Sequence, residues 1–338
     1  INSYFPTSIV GENIEKDKWQ EILETTEYNK SIFYLFNSIK YYTAYYLENN
    51  AVNLSINFIE NDQSIGILPL MLHKNKSNQW VLSTNGEEIV EPIFKQNLSK
   101  KIRKRLENKI LKLLIDLCKL LNIKQSNFVN SNFHKLSEWY IRLLEIAEYE
   151  FTTYHFLVNL SLDIQQIRSK FRDRYKTLVN KGLKEWNIQV YEKVSNEFFD
   201  KFRLFHKTIA GKTTRPIESW NIQKEKIKSN ESLIITASNK KNKLVGAALF
   251  SFSNHIVSYS VGVYDRDLFK KPIAHGIMMK AIEVFKKKGL VWFEIGKKSL
   301  HLNRTKPTQK DLSISHFKEG FATDVMPRQH LVINLCNL

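Results

Sequence analysis

The residues with the most chemical content fall in one stretch, 288–321, which reads KGLVWFEIGKKSLHLNRTKPTQKDLSISHFKEGF. Its apolar run over 290–295 predicts a buried strand that carries one carboxylate, Glu294. That strand opens directly into a loop bearing Lys297, Lys298, Arg304 and Lys306. The hexad His316-Phe317-Lys318-Glu319-Gly320-Phe321 follows after a short polar linker. Strand ends that open into cation-rich loops are where α/β proteins hold anionic ligands. The combination marks a candidate transferase.

Glu294 can accept a proton or pair with a neighbouring Lys or Arg. No Ser/His/Asp order is evident. Cys118 and Cys336 lack metal-ligand spacing and sit in apolar runs that disfavour thiolate. They read as small buried hydrophobes of a reducing cytoplasm.

Three further segments carry candidate ligand groups. Residues 205–216 (FHKTIAGKTTRP) set His206 and Arg215 between two helical patterns. The Gly-Lys-Thr within them is no Walker A loop, because the upstream Gly is missing and a helix precedes it. The segment reads as a donor- or acceptor-binding loop, or as a plain connection. Tyr264 and Arg266 end a hairpin strand, where Arg266 can grip a phosphate or carboxylate bidentately or pair with Asp265 or Asp267. His275 opens a helix and either faces a ligand or serves as a structural histidine. On a helix expected over 163–186, Arg168, Arg172 and Lys176 recur every fourth residue, with Arg174 and Lys181 beside them. Like charges at that spacing repel, a cost that an anion such as RNA, or an acidic neighbour, offsets; the alternative is a solvated face.

The elements that position these groups emerge from the hydrophobic pattern. Strands are expected over 51–59, 65–73 and 80–83, then a helix over 99–121 in which Ile102, Leu106, Ile110, Leu113, Leu117 and Leu120 recur at three and four. The same order returns as strands over 233–237, 244–252 and 256–263, a helix over 274–287 and the strand 290–295. This repeated β-β-β-α-β series in 338 residues implies two related α+β domains, with ~150 residues per domain as the usual guide. The expected division is 1–155 and 156–324, with 325–338 able to return to the first domain and the active site in the second. The helix over 163–186 has its cap at Asp163, its apolar stripe in Ile164, Ile167, Phe171, Tyr175 and Leu178, and its stop at Gly182.

Composition bounds the partners. The chain is 43% hydrophobic and 25% charged, as globular proteins are, with a net charge of +17. That charge points to an anionic partner: RNA, a nucleotide or a membrane surface. Its Lys-, Asn- and Ile-rich composition offers compositional drift as the bland alternative. No uninterrupted run of ~18 apolar residues and no signal-peptide pattern is present. The start at Ile1 implies a trimmed native start. A cytoplasmic protein is expected, with peripheral contact at the inner face of the membrane as an option.

The order of hairpin, Pro272-containing loop, helix, Lys288-Gly289, Phe293-Glu294-Ile295-Gly296 and Phe317-Lys318-Glu319-Gly320-Phe321 resembles the FemABX aminoacyl-transferase family and related FemAB-like acyltransferases of polysaccharide loci. The segment 168–184, preceded by 154–162, resembles the arginine-rich helix that opens the family's second domain. The resemblance spans most of the chain and is more specific in the second half. It implies two tandem acetyltransferase-like (GNAT) domains, each a mixed, mainly antiparallel sheet flanked by helices. It also implies transfer of an aminoacyl or acyl group onto an amine of a cell-envelope precursor, an amino sugar or peptide carried on a nucleotide or lipid. The family's lysine in FK-x-x-F, implicated in handling phosphates near the reacting centre, maps onto Lys318; the alternative is a surface lysine beside two core phenylalanines. Glu294 stands where the family often has Asp and would accept a proton from the attacking ammonium, which must be neutral to react. Such a transfer needs little else than an aligned amine and carbonyl, a donor for the developing oxyanion and a route for two protons. Lys297, Lys298 and Arg304 would hold phosphates.

The donor would be aminoacyl-tRNA or acyl-CoA, with no tightly bound cofactor and no metal, and the acceptor phosphorylated or carboxylated. Acetyl-CoA enzymes of this fold cradle the pyrophosphate on free backbone N–H groups at a helix start. Here that position offers one glycine, Gly276, and a proline without an N–H, which weakens a CoA reading. The nearest alternative is an acyl-CoA-dependent N-acyltransferase acting on an amino sugar of a surface polysaccharide. A non-catalytic RNA-binding protein is the second.

Overall fold

The computed structural model describes residues 1–26, 31–132, 135–300 and 306–338. The chain forms two compact units, one from Ile1–Thr152, Pro216–Ile222 and Arg328–Leu338, the other from Thr153–Arg215 and Gln223–Pro327.

The first unit holds, in chain order, β1 (Ile9–Val10), α1 (Lys16–Thr25), α2 (Phe36–Tyr45), β2 (Val52–Asn53), β3 (Ile56–Glu60), β4 (Gln63–Leu68), β5 (Met71–Lys74), β6 (Trp80–Ser83), β7 (Ile89–Val90), β8 (Ile93–Phe94), α3 (Lys100–Leu121), β9 (Ser126–Val129) and α4 (Glu138–Leu144). The expected strands over 51–59 and 65–73 are each broken. Pro69 cannot donate to a ladder, and its carbonyl accepts the Thr84 hydroxyl at 2.8 Å instead. The meander therefore divides into a sheet ordered β1-β3-β4-β8 and another ordered β2-β5-β6. Ser99 caps α3 by accepting the Ile102 N–H, and Asn122 ends it in the left-handed region. The buried side chains of α3, Leu106, Ile110, Leu113, Leu114 and Cys118, join Phe58, Phe128 and Leu331 in one core. Burial pushes the Cys118 thiol up to about 11, so it is an inert hydrophobe, and both cysteines are free.

The second unit holds the part of β10 (Tyr149–Asn159) from Thr153 on, α5 (Ile164–Ser169), α6 (Asp173–Glu185), β11 (Asn187–Tyr191), α7 (Asn196–Ala210), the part of α8 (Ile217–Lys228) from Gln223 on, β12 (Ser232–Ser238), β13 (Leu244–Phe252), β14 (Ile256–Tyr264), α9 (Ile273–Lys287), β15 (Trp292–Lys297), α10 (Gln309–Glu319) and the start of β16 (Asp324–Ile333). Its sheet runs β11-β12-β13-β14-β15-β10, antiparallel except for the parallel pair β14–β15. Strand β13 is buried from Val245 to Phe252, as a strand covered on both faces must be. Phe250 meets Phe285 of α9 and Phe293 of β15, each at 5.7 Å between ring centroids, which anchors the helix to the centre of the sheet.

The single helix expected over 163–186 is two. Asp163 caps α5 in a capping box with Gln166, and the helix stops at Ser169. The chain then turns so that the Arg172 N–H donates to the Gly320 carbonyl at 3.0 Å, and α6 begins at Asp173. A tertiary bond thus overrides the local period. Nor does Gly182 end a helix: it lies inside α6. Its missing side chain lets α6 press on α9, because a methyl there would clash with the Pro272 carbonyl and sit 2.9 Å from the Gly276 nitrogen.

Candidate active site at the opening between β14 and β15

Strands β14 and β15 pair over only three residues, Ile256↔Trp292, Val257↔Phe293 and Ser258↔Glu294. Beyond that point each strand carries a bulge. On β14 the register against β13 slips so that Leu249 faces Val261 and Phe250 faces Tyr259, leaving Ser260 over. On β15 the register against β10 slips so that Phe156 faces Gly296 and Leu157 faces Glu294, leaving Ile295 over. Bulges bend and twist a strand locally. Here they coincide with the end of the ladder.

Lys318 enters that opening from α10. Its Nζ lies 5.4 Å from the centroid of the Tyr259 ring on β14 and directly against Gly296 on β15, where an added methyl would meet it. Gly296 has φ +150, so this position favours glycine for both backbone and space. Among the described residues the Lys318 ammonium makes no hydrogen bond or ion pair. Burial lowers its pKa, and the negative charge of Glu294 opposes that shift. The result is a half-buried cation aimed into an opening, partly desolvated and beside a carboxylate. Tyr259 lies over Gly262, and its hydroxyl is 2.8 Å from that of Tyr264. Burial pushes Tyr259 up to about 12, so both phenols remain neutral hydrogen-bonding groups at physiological pH.

Glu294 has a partner that sequence reasoning did not find. Its Oε1 is 2.6 Å from Nδ1 of His155 on β10, and His155 Nε2 is 2.9 Å from the Thr153 hydroxyl. The His155 side chain is 1% exposed and that of Glu294 17%. The one available signal was the pair Thr153 and His155, two polar residues at alternate positions entering the apolar run Phe156-Leu157-Val158. Their partner is 139 residues away in sequence, a separation that no local pattern reports.

The other expected site residues fall into three groups. Lys297 is exposed at the end of β15, opposite His155 in register. Lys298 is committed, with Nζ 2.7 Å from Glu319 and its backbone N–H donating to Tyr154. Arg304 lies outside the described residues. A second cluster surrounds Phe317: Tyr175 donates its hydroxyl to the Phe317 carbonyl, and the His275 ring meets those of Tyr175, Phe317 and Phe321 at 4.5, 5.3 and 5.6 Å. Neither nitrogen of the His275 ring has a hydrogen-bond partner, and burial, with the Arg174 charge adding to it, lowers its pKa to about 4. Arg172 clamps His316, Nη1 to Nε2 at 2.8 Å and Nη2 to the His316 carbonyl at 3.1 Å.

The remaining candidates stand apart. Arg168 donates to Asn180, and Lys176 pairs with Asp173, so the break before α6 dissolves the expected basic row. His206 on α7 has its pKa lowered by burial and by the charge of Arg215. Arg266 is exposed and pairs with neither neighbouring aspartate; Asp265 instead accepts the Asp267 N–H. No group of three or more His, Cys, Asp or Glu able to hold a metal occurs among the described residues, and none of their helices is long and apolar enough to cross a membrane.

No protein-family model and no curated protein matches the chain. Solved structures do. FemX aligns with a TM-score of 0.66 at 10% identity, over 95% of this chain and 96% of that one. The chain has the FemX fold. L-PGS from Bacillus licheniformis aligns with a TM-score of 0.60 at 13% identity, over 96% and 94% of the two chains. The C-terminal domain of a putative lysylphosphatidylglycerol synthetase from Agrobacterium fabrum aligns at 0.58 and 8% identity, over 94% and 92%. The fold is therefore the pair of GNAT-like domains expected from the motifs. In this FemX-like frame the β14–β15 opening, with Lys318 and Glu294 at its mouth, belongs to the second unit.

Proposed function

We propose that this protein transfers an aminoacyl or acyl group onto an amine of a cell-envelope precursor, an amino sugar or peptide carried on a nucleotide or lipid. The observation that carries the reading is the unpaired Lys318 ammonium held in the β14–β15 opening next to Glu294. In the reaction the acceptor nitrogen attacks the donor carbonyl carbon, and the carbonyl oxygen becomes an oxyanion. The Lys318 ammonium steadies that charge in a partly desolvated setting, where a cation acts more strongly than in water. Glu294 takes the proton released by the acceptor nitrogen. The bond from carbonyl carbon to the leaving oxygen or sulfur then breaks, an amide remains, and the leaving atom takes up a proton. Lys297 at the mouth would hold a phosphate of donor or acceptor.

The crossing of α6 over α9 supports aminoacyl-tRNA rather than acyl-CoA as donor. Gly182 packs on Pro272 and Gly276, at the helix start where a pyrophosphate would seek free N–H groups. FemX-like architecture and a net charge of +17 support a large anionic donor acting in the cytoplasm, with the acceptor reached there or at the membrane face.

Intact-mass analysis tests the reading. The full chain is incubated with a mixed aminoacyl-tRNA pool or with acetyl-CoA, and with glucosamine 1-phosphate or a lysine-containing peptide as acceptor. The expected result is an acceptor heavier by one aminoacyl group with the tRNA pool. Product from acetyl-CoA alone would overturn the donor assignment, and no product from any pairing would overturn the transferase reading.

A further inference from the structure

We infer that the loop 265–272 after β14, together with the turn between β12 and β13, docks the protein on an anionic lipid surface. Both lie at one end of the second unit's sheet. Leu244 at the start of β13 pairs with Ser238 of β12, Gly246 pairs with Tyr264 at the end of β14, and the Asp265 N–H donates to the Val245 carbonyl at 2.9 Å. This end carries Lys240, Lys241 and Lys243 on the turn and Arg266, Lys270 and Lys271 on the loop, all exposed. Among the described residues only Lys271 of these has an ion-pair partner, Glu185 at 3.5 Å.

Phe269 selects the partner. It is 78% exposed in the middle of those cations. The loop holds it there: the Asp267 N–H donates to the Asp265 carboxylate at 3.1 Å, the Phe269 N–H to the Arg266 carbonyl at 3.2 Å and the Lys271 N–H to the Leu268 carbonyl at 2.8 Å. Leu268 packs on the core, so its neighbour Phe269 points away from it. An exposed Phe forfeits the stabilisation that burial brings. It regains it where the ring enters the boundary between headgroups and acyl chains. On the turn, Asn239 Oδ1 accepts the N–H groups of Lys241 and Lys243, each at 3.0 Å, which fixes the lysines at its tip.

RNA is the competing polyanion. A strand of RNA stacks its bases on a series of aromatic side chains. Phe269 stands alone, with no ring contact among the described residues, and five of the six cations are Lys rather than the planar Arg fork suited to nucleic acid. One apolar tip flanked by ammonium groups matches an apolar layer beneath a sheet of phosphates. The placement bears on the acceptor, a consequence that rests on the transfer chemistry proposed above. Strands β14 and β15 both run towards this end, and Tyr264 lies about 17 Å of strand beyond Tyr259 at the opening. The acceptor that fits is therefore an amine carried on a lipid-linked phosphate.

The full chain is sedimented with phosphatidylglycerol–phosphatidylcholine vesicles and with phosphatidylcholine vesicles. Binding to the first only, released by salt, is the expected result. Lys240→Glu, Lys241→Glu and Lys243→Glu combined should weaken it at least about 100-fold, and Phe269→Ser about tenfold. Both variants should keep the wild-type melting temperature, because all four side chains are exposed. Phe269→Trp should retain the affinity and add emission that lipids brominated in their acyl chains quench. Wild-type protein that stays in the supernatant, or Phe269→Ser that binds as tightly as wild type, would overturn the docking. A single-stranded RNA shifted in a gel by wild type but not by Phe269→Ser, with no vesicle binding, would assign the patch to RNA instead. Sedimentation needs no turnover, so failed docking leaves the transferase reading standing, and failed transfer leaves the docking standing.

Discussion

Each unit of this protein contains a pair of parallel strands, and the two pairs are finished differently. In the first unit, β7 and β9 pair Ile89 with Phe128 and Val90 with Val129, and all four side chains are buried. In the second, β14 and β15 pair for three residues and then part, and the gap is lined by Glu294, Gly296, Tyr259 and the incoming Lys318. The first unit also breaks its meander at Pro69 into short strands, whereas β13 and β14 run nine residues each. One architecture thus supplies a closed apolar seam in one unit and an open polar seam in the other. The proposed chemistry uses the open seam, where the Lys318 cation lies beside the Glu294 carboxylate.

Substitutions can break this comparison. The largest effect is expected at the closed seam. Phe128→Ala should cost about 3–5 kcal/mol in a urea titration, while the turnover per folded molecule is unchanged. A fall in turnover greater than the fall in folded protein would mean that the first unit takes part in the chemistry. Gly182→Ala, which forces a methyl against Pro272, should cost about 1–3 kcal/mol and disturb the seat of α9. A variant of wild-type stability would show that α6 and α9 do not press together there.

An acid titration separates the two units further. His275 is held neutral, with its pKa lowered from 6.5 to about 4. Between those values the unfolded chain binds the extra proton, so the contribution of His275 to stability is present above pH 6.5 and is lost as pH falls towards 4. His275→Phe should therefore be more stable than wild type by about 2 kcal/mol at pH 5 and nearly equal to it at pH 7, measured by thermal melts across that range. Equal acid sensitivity of the two proteins would remove His275 as the titrating group. The smallest effect is expected from Gly296→Ala, which crowds the Lys318 ammonium and strains the bulge. Turnover should fall about tenfold, with little change in KM; a wild-type rate would mean that Lys318 need not lie where it does.

Much of the scaffold was legible from sequence because its signals are local. Trp80–Ser83 and Leu244–Phe252 match the expected strands, and the 99–121 helix announces itself through its spacing of three and four. The Phe317–Phe321 motif likewise drew attention to Lys318, which the fold delivers to the opening. What escaped was non-local. His155 reaches Glu294 across two strands, the break at Arg172 is made by a bond to Gly320, and the meeting of Gly182 with Gly276 depends on two helices crossing. The four-residue spacing of Arg168, Arg172 and Lys176 misled for the same reason: it presumes an unbroken helix.

The central claim is that transfer chemistry takes place at the Lys318 ammonium. It is tested most directly by the first-order rate of product formation for Lys318→Ala at saturating aminoacyl-tRNA, with a thermal melt of the same sample. A rate lowered about 100-fold or more, with the melting temperature of the wild type retained, is the predicted result. An unchanged rate would contradict the account.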